Sequence, residues 1–255
     1  MFTRKTLQAL FITGTLGAGL FAQSSTALAA PLKTAPAVIA NVTVDLQPEG
    51  VAVNPNTSLI YSTGRTHNTV TVVDGKTNQV TGNILLGGQP HALAVLTALN
   101  RVYATSISST GFGSLAVIDA STNSVMTYLP IGFEASPAAV AVNQNTGRVY
   151  VTAPGLKTVA VIDGLSNSIV DMIHGFLEPA DIAVNSTTNR VYVTNLDYDT
   201  LSVIDGASDN FAGNAIKVGN GIAAAVAVNP ATNRIYVGTN GAVAVVDGNS
   251  NSLVA

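Results

Sequence analysis

One pattern recurs along most of this chain. The stretch from Pro179 to Gly206, PADIAVNSTTNRVYVTNLDYDTLSVIDG, has counterparts starting at Pro48, Pro90, Pro137 and Ala224. The aligned tyrosines are Tyr61, Tyr103, Tyr150, Tyr192 and Tyr236, spaced 42, 47, 42 and 44 residues apart. The aligned aspartates are Asp74, Asp119, Asp163, Asp205 and Asp247. Self-similarity at this period marks a repeat architecture in which each copy is one supersecondary unit.

Each unit offers short runs rich in Val, Ile, Thr and Tyr, separated by Asn, Gly, Asp, Ser and Pro. In the second repeat the runs are 92–95, 101–104, 114–118 and 124–129; in the fourth they are 181–184, 190–194, 201–204 and 211–218. Such runs, bounded by turn formers, are strands. No window of the chain after the N-terminal segment keeps a helical period without breakers, so the fold class is all-β. The turns NPNTS, NQNTG, NSTTN and NPATN join first to second strands, and Asp-Gly pairs at 74, 163, 205 and 247 join third to fourth. Asn and Asp favour these places because their side chains bond nearby backbone N–H groups and tolerate left-handed φ.

A four-stranded sheet with two apolar faces cannot stand alone. Radial repetition covers both faces with neighbouring sheets, which is the arrangement of a propeller. The segment 38 to 48, VIANVTVDLQP, aligns with VTGNILLGGQP at 80 to 90. It therefore reads as the fourth strand of a unit. We expect a five-bladed β-propeller of four-stranded antiparallel blades, with strand 38 to 46 completing the blade built from residues 224 to 248.

Residues 1–29 have a basic head at Arg4 and Lys5, an apolar run and Ala27-Leu28-Ala29 before Ala30. This is a secretory signal, leaving a short lead at 30–37 and one propeller domain at 38–255. Its removal leaves nine basic against 14 acidic residues, a formal net charge of −5. A mildly acidic chain without basic clusters excludes nucleic acid as a partner. The absence of cysteine excludes disulfides, thiolate nucleophiles and sulfur-ligated metal. After signal removal no segment is long and apolar enough to span a membrane.

Tyr192-Val193-Thr194-Asn195 and its variants YSTG at 61, YATS at 103, YVTA at 150 and YVGT at 236, each followed by a Val/Ile-Asp ending, resemble the YVTN family of β-propeller repeats. The resemblance covers the chain from residue 38 onward and implies an exported bacterial or archaeal propeller. Proteins with similar repeats include surface-layer components, binding proteins and proteins named as lactonases by similarity. Some related propellers are lyases or metal-dependent lactonases.

The repeated Tyr and Asp occur once per blade, so they cannot converge on one reacting atom. We read them as interblade packing and turn formation. Arg101, Arg148, Arg190 and Arg234, each two positions before a Tyr, bond across neighbouring turns or cover apolar surface.

Function is better sought where the repeats differ. The loops before first strands and between second and third strands share one face of a propeller. They carry Glu49, His91, Glu178 and Asp181, and then Arg65, His67, Phe112, Lys157, Asp197, Tyr198 and Asp199. His91 stands where other repeats have Glu49, Ala138, Ala180 and Ala224. Three roles are open to it: a channel-mouth filler, a general base, or a metal ligand beside Glu49 and Asp181. The expectation is an exported, non-enzymatic binding or scaffold protein with no cofactor, meeting an extracytoplasmic protein, glycan or small molecule. The alternative is a periplasmic lactonase-like or lyase-like enzyme that uses His91, Glu49 and Asp181, with or without a divalent cation.

Overall fold

The computed structural model describes residues 37–219 and 221–254. The expected signal at 1–29 and most of the lead lie outside the described residues. Residues 40–255 form one compact unit, in which five antiparallel sheets follow one another along the chain. Blade 1 comprises β1 (Val51–Asn54), β2 (Leu59–Gly64), β3 (Thr69–Asp74) and β4 (Gln79–Leu85). Blade 2 comprises β5 (Gln89–Leu96), β6 (Arg101–Ile107), β7 (Phe112–Asp119) and β8 (Ser124–Phe133). Blade 3 holds β9 (Val140–Val142), β10 (Arg148–Ala153), β11 (Thr158–Asp163) and β12 (Ser168–His174).

Blade 4 has β13 (Pro179–Asn185), β14 (Arg190–Asn195) and β15 (Thr200–Asp205), with an outer strand split into β16 (Asn210–Phe211) and β17 (Ile216–Lys217). The split falls around Gly213, whose φ of 100° breaks the extended run expected over 211–218. Blade 5 comprises β18 (Ala225–Asn229), β19 (Arg234–Thr239), β20 (Ala242–Asp247) and β21 (Ser252–Leu253). The arrangement of the five sheets is propeller-like. First strands lie against first strands, β1 on β5, β5 on β9, β9 on β13 and β13 on β18, which makes them the inner strands.

The core lies between blades. Tyr61, Val70 and Val72 of blade 1 pack on Val95, Val102, Ala116 and Ile118 of blade 2. Tyr103, Leu115 and Val117 of blade 2 meet Val149, Val151, Ala160 and Ile162 of blade 3. Alternation along each strand sends successive side chains to opposite faces, so one strand serves two interfaces. Each aliphatic side chain buried this way contributes about 1.5–3 kcal/mol.

Tyrosines 61, 103, 150 and 192 are fully buried, and three hydroxyls reach the third-to-fourth-strand turn of the following blade. Tyr61 Oη donates to Asn123 Oδ1 (3.1 Å), Tyr150 Oη to Asp209 Oδ1 (3.3 Å) and Tyr103 Oη to the Gly164 carbonyl (3.4 Å). The repeated aspartates build those turns. The Oδ1 atoms of Asp74, Asp119, Asp163, Asp205 and Asp247 accept the N–H two residues on, at 2.7–2.9 Å. The turn then closes through a left-handed residue, Asn78, Asn123, Asn167, Asp209 or Asn251, with φ between 51° and 57°. Arg148, Arg190 and Arg234 pair with the aspartate of their own blade. Arg101 alone crosses over, donating to Leu165 O (3.2 Å) and Asn167 Oδ1 (2.8 Å).

Residues 37–44 carry no regular secondary structure, so closure by a strand over 38 to 46 is not seen. The outer strand of blade 5 is β21, with Val254 N–H donating to Val245 O at 2.7 Å. The N-terminal segment is tied to blade 1 instead. Asp45 accepts from Thr69 Oγ1 (2.5 Å) and from His67 Nδ1 (2.5 Å), and its own N–H bonds Thr71 Oγ1 (3.4 Å).

Backbone N–H donors, chiefly those of Ser121, Ser166 and Asn249, hold the carboxyls of Asp119, Asp163 and Asp247 below the ordinary value of 3.8. The unfolded chain therefore binds protons first on acidification. The stability these turns contribute is full above pH 3.8 and is lost as pH falls through the lowered values, which unfolding at successive acid pH checks. Tyr103→Ala is expected to cost about 3–5 kcal/mol in denaturant unfolding. Tyr236→Ala should cost clearly less than Tyr103→Ala, because Tyr236 is 37% exposed where Tyr103 is fully buried.

Candidate functional site

In four of the five repeats the threonine two places after the tyrosine builds the mouth. Thr63 Oγ1 accepts the N–H groups of Glu49 (3.1 Å) and Gly50 (2.7 Å) and lies 3.4 Å from the carbonyl oxygen of His91. Thr105, Thr152 and Thr194 take the N–H groups of Ala92, Ala139 and Asp181 in the same way, at 2.9–3.0 Å. Thr152 Oγ1 also donates to Ala180 O of the next blade (3.0 Å). These buried hydroxyls lock each inner strand to its own blade and, at two places, to the neighbour. At Gly50 a Cβ would sit 2.6 Å from His91 O, so only glycine lets blades 1 and 2 approach closely enough to bring Glu49 to His91.

Glu49 bridges two cations or donors. Its Oε1 accepts from the Arg65 guanidinium (2.5 Å) and its Oε2 lies 3.0 Å from His91 Nδ1. Arg65 also donates to Gln89 Oε1 (3.4 Å). Burial, helped by the Arg65 charge, pushes the His91 pKa below 6.5 against the opposing pull of Glu49. His91 is accordingly neutral at pH 7, with Nδ1–H donating to the carboxylate and Nε2 left as a lone-pair acceptor. That Nε2 is buried and has no partner among the described residues. A carboxylate-oriented imidazole with a free Nε2 can accept a hydrogen bond from a ligand hydroxyl or take its proton.

His91 lines two cavities. One, of about 470 Å³, is walled by Arg65, Asn68, Gln89, Ser108 and Ser109 and lies along the seam of blades 1 and 2. The other, of about 480 Å³, is axial and is walled by Glu49, Val51, Ala138 and Asp181. The seam cavity adjoins, through Gly87, a smaller apolar recess of about 240 Å³ formed by Phe112, Ser114, Tyr128 and Pro130. Tyr128 is pinned there because its hydroxyl accepts the Gly87 N–H (3.0 Å).

The expected residues are thus divided among several places. His91, Glu49 and Arg65 form one connected group, and Phe112 lines the adjoining recess. Asp181 shares the axial cavity but both its oxygens are taken, by the N–H groups of Ile182 (2.9 Å) and Val226 (2.8 Å). It works as a pin between blades 4 and 5. His67 turns away to Asp45, beside a polar cleft with Thr43, Thr69, Thr71 and Asn83. Lys157, Glu178, Asp197 and Tyr198 line a further cavity of about 480 Å³ between blades 3 and 4. There a hydrogen bond with Asp197 raises the Glu178 pKa. Asp199 leaves that group to pair with Lys217 Nζ (3.1 Å) on β17. Among the described residues no three His, Asp or Glu side chains are grouped to hold a metal ion. No described helix is long and apolar enough to cross a membrane.

No family model matches the chain. It is 30% identical over 127 residues to the seven-bladed beta-propeller protein Rv1057 of Mycobacterium tuberculosis (strain ATCC 25618 / H37Rv), taking in 49% of this chain and 32% of that protein. The chain thus spans about a third of that relative's length. In three dimensions it resembles the hydrazine synthase of Kuenenia stuttgartiensis, with a TM-score of 0.71 at 18% identity over 82% of this chain and 66% of that one. It also resembles U3-55K, with a TM-score of 0.69 at 15% identity over 83% of this chain and 64% of that one. Together with the five sheets, these likenesses define a β-propeller fold. At such identities they define nothing further.

The histidine ring offers a direct check. In an NMR titration His91 should titrate below 6.5, lower still in Glu49→Gln, and higher in Arg65→Ala. Because the unfolded chain binds this proton more readily, His91 weakens the fold as pH falls below 6.5.

Proposed function

We propose that this chain is an exported, non-enzymatic binding protein of the YVTN-repeat kind. Its ligand is a neutral, hydroxyl-rich molecule of the glycan or polyol class, held along the seam of blades 1 and 2 without a cofactor. The observation that carries this reading is that a polar cavity and an aromatic recess lie side by side and share Gly87 as a wall. Glu49 cancels the Arg65 charge, so the cavity does not select an anion. Gln89, Ser108 and Ser109, with His91 beside them, supply donors and acceptors suited to hydroxyls. Phe112, Tyr128 and Pro130 supply the flat apolar surface that pockets for small molecules combine with a few placed polar groups. Export rests on the signal-like segment at 1–29, and the YVTN reading on the repeated tetrapeptide.

Calorimetric titration at neutral pH with a panel of neutral oligosaccharides tests this. Binding of at least one is expected, with Phe112→Ala and His91→Ala each weakening it about tenfold or more. Binding confined to charged ligands, or unchanged by both substitutions, contradicts it. The neutral His91 held by Glu49 favours a second reading, a hydrolase or lyase with His91 as base. That reading requires turnover of lactones or related rings that Glu49→Gln abolishes while ligand affinity survives.

A further inference from the structure

The cavity between blades 3 and 4 is built from the same repeat positions as the cavity along the seam of blades 1 and 2, with charges in place of neutral amides. Gln89, before the proline of its repeat, aligns with Glu178 before Pro179. Asn68, before the third strand of blade 1, aligns with Lys157 before the third strand of blade 3. The two cavities are close in size, about 470 and 480 Å³, within the range of pockets that hold one small molecule. Asn68 and Lys157 both lie at left-handed φ, 58° and 52°. Asparagine takes that conformation readily and lysine much less so, so the turn's own demand does not account for the lysine.

Backbone hydrogen bonds hold both walls in place. On blade 3, Gly155 N–H donates to Ala135 O (3.2 Å) and Lys157 N–H to Pro154 O (2.9 Å). A Cβ on Gly155 would sit 1.8 Å from Glu134 O, so only glycine lets the turn that carries Lys157 rest on the chain between β8 and β9. On blade 4, Leu196 N–H donates to Glu178 O (2.9 Å) and Leu177 N–H to Asn195 Oδ1 (3.4 Å). These bonds tie the loop before β13 to the end of β14 and bring Glu178 to Asp197. Their hydrogen bond, partial desolvation and the Asp197 charge raise the Glu178 pKa, against the opposing pull of Lys157. Lys217 is paired with Asp199 (3.1 Å), whereas Lys157 makes no ion pair among the described residues.

Two acids thus stand on the blade 4 side of one cavity and a base on the blade 3 side. A simple anion is repelled by the carboxyl pair. A bare divalent cation is opposed by Lys157 and lacks the several oxygen ligands it needs, since no three acidic or histidine side chains are grouped among the described residues. A molecule that carries an ammonium and a carboxylate satisfies both sides through charge-assisted hydrogen bonds. Leu177 and Tyr198 line the same cavity and are 41% and 51% exposed, which leaves apolar surface for the rest of it. We propose that this cavity is a second binding site, for a free α-amino acid with an apolar side chain. Glu178 and Asp197 receive its ammonium, Lys157 its carboxylate, and Leu177 and Tyr198 its side chain. The site is separate from the seam of blades 1 and 2 and does not depend on the reading given to that seam.

Calorimetric titration of the chain at neutral pH with L-leucine and L-phenylalanine, and with their amides and N-acetyl derivatives, tests the assignment. At least one free amino acid should bind, and its amide and N-acetyl derivative, each lacking one charge, should bind about tenfold or more weakly. Lys157→Met should weaken the free amino acid about tenfold or more and leave the amide unchanged, whereas Asp197→Asn should weaken both. Lys157 and Asp197 are exposed, so the circular dichroism and melting curve of each variant should match the parent. Phe112→Ala, at the other seam, should leave amino-acid binding as it was. Absence of binding by either free amino acid at millimolar concentration overturns the proposal. So does equal affinity for the free and derivatised forms, affinity unchanged in both Lys157→Met and Asp197→Asn, or binding lost in Phe112→Ala.

Discussion

An apolar sheet face must be covered, and between the blades of this chain the cover is chiefly another copy of the same sheet. That constraint fixes the architecture. Val70 packs with residues of blade 2, and Ile162 of blade 3 packs with residues of blade 2 as well. Hydrophobic burial is non-directional, so it brings blades together without setting their register. The register comes from hydrogen bonds at the two ends of each face. Tyrosine hydroxyls and asparagine amides dock into left-handed turns at one end, and the Y-x-T threonines bind inner-strand N–H groups at the other.

The mouth inherits its precision from that scaffold. Thr63 fixes the backbone of Glu49 and lies against that of His91, and Gly50 permits the approach between their strands. The carboxylate then holds the imidazole in one tautomer. The site is thus a by-product of blade packing, altered at one seam by replacing small residues with Glu49 and His91. The other inner strands keep Ala138, Ala180 and Ala224 at this place, and the corresponding seams carry no such group.

Much of the fold was legible because the repeat is a physical unit: four of the five tyrosines are buried between blades, and all five aspartates accept turn N–H groups. The closing strand was not legible. Alignment of 38 to 48 with 80 to 90 shows that the segment belongs after a third strand, but Asp45 bonds to Thr69 and His67 and holds it against blade 1. At the site, His91 and Glu49 stood out because the repeats differ there. Asp181 stood out by the same logic, yet its carboxylate serves the backbone of β13 and β18; charge on a loop face does not reveal which N–H groups lie in reach. Tyr128 was passed over because it lies in an outer strand. It aligns with Asn83 and Met172, and that departure from the repeat was the available signal. The Y-x-T threonine was passed over as signature, although four of five repeats keep it.

The central claim is that the seam of blades 1 and 2 is a preformed receptor for a neutral hydroxylated ligand. Its most direct test is a crystal structure of the chain with a neutral oligosaccharide. The account predicts a sugar ring stacked against Phe112 and Tyr128 with a hydroxyl on His91 Nε2. A ligand bound at another seam, or a seam that stays closed around water alone at saturating ligand, would contradict it.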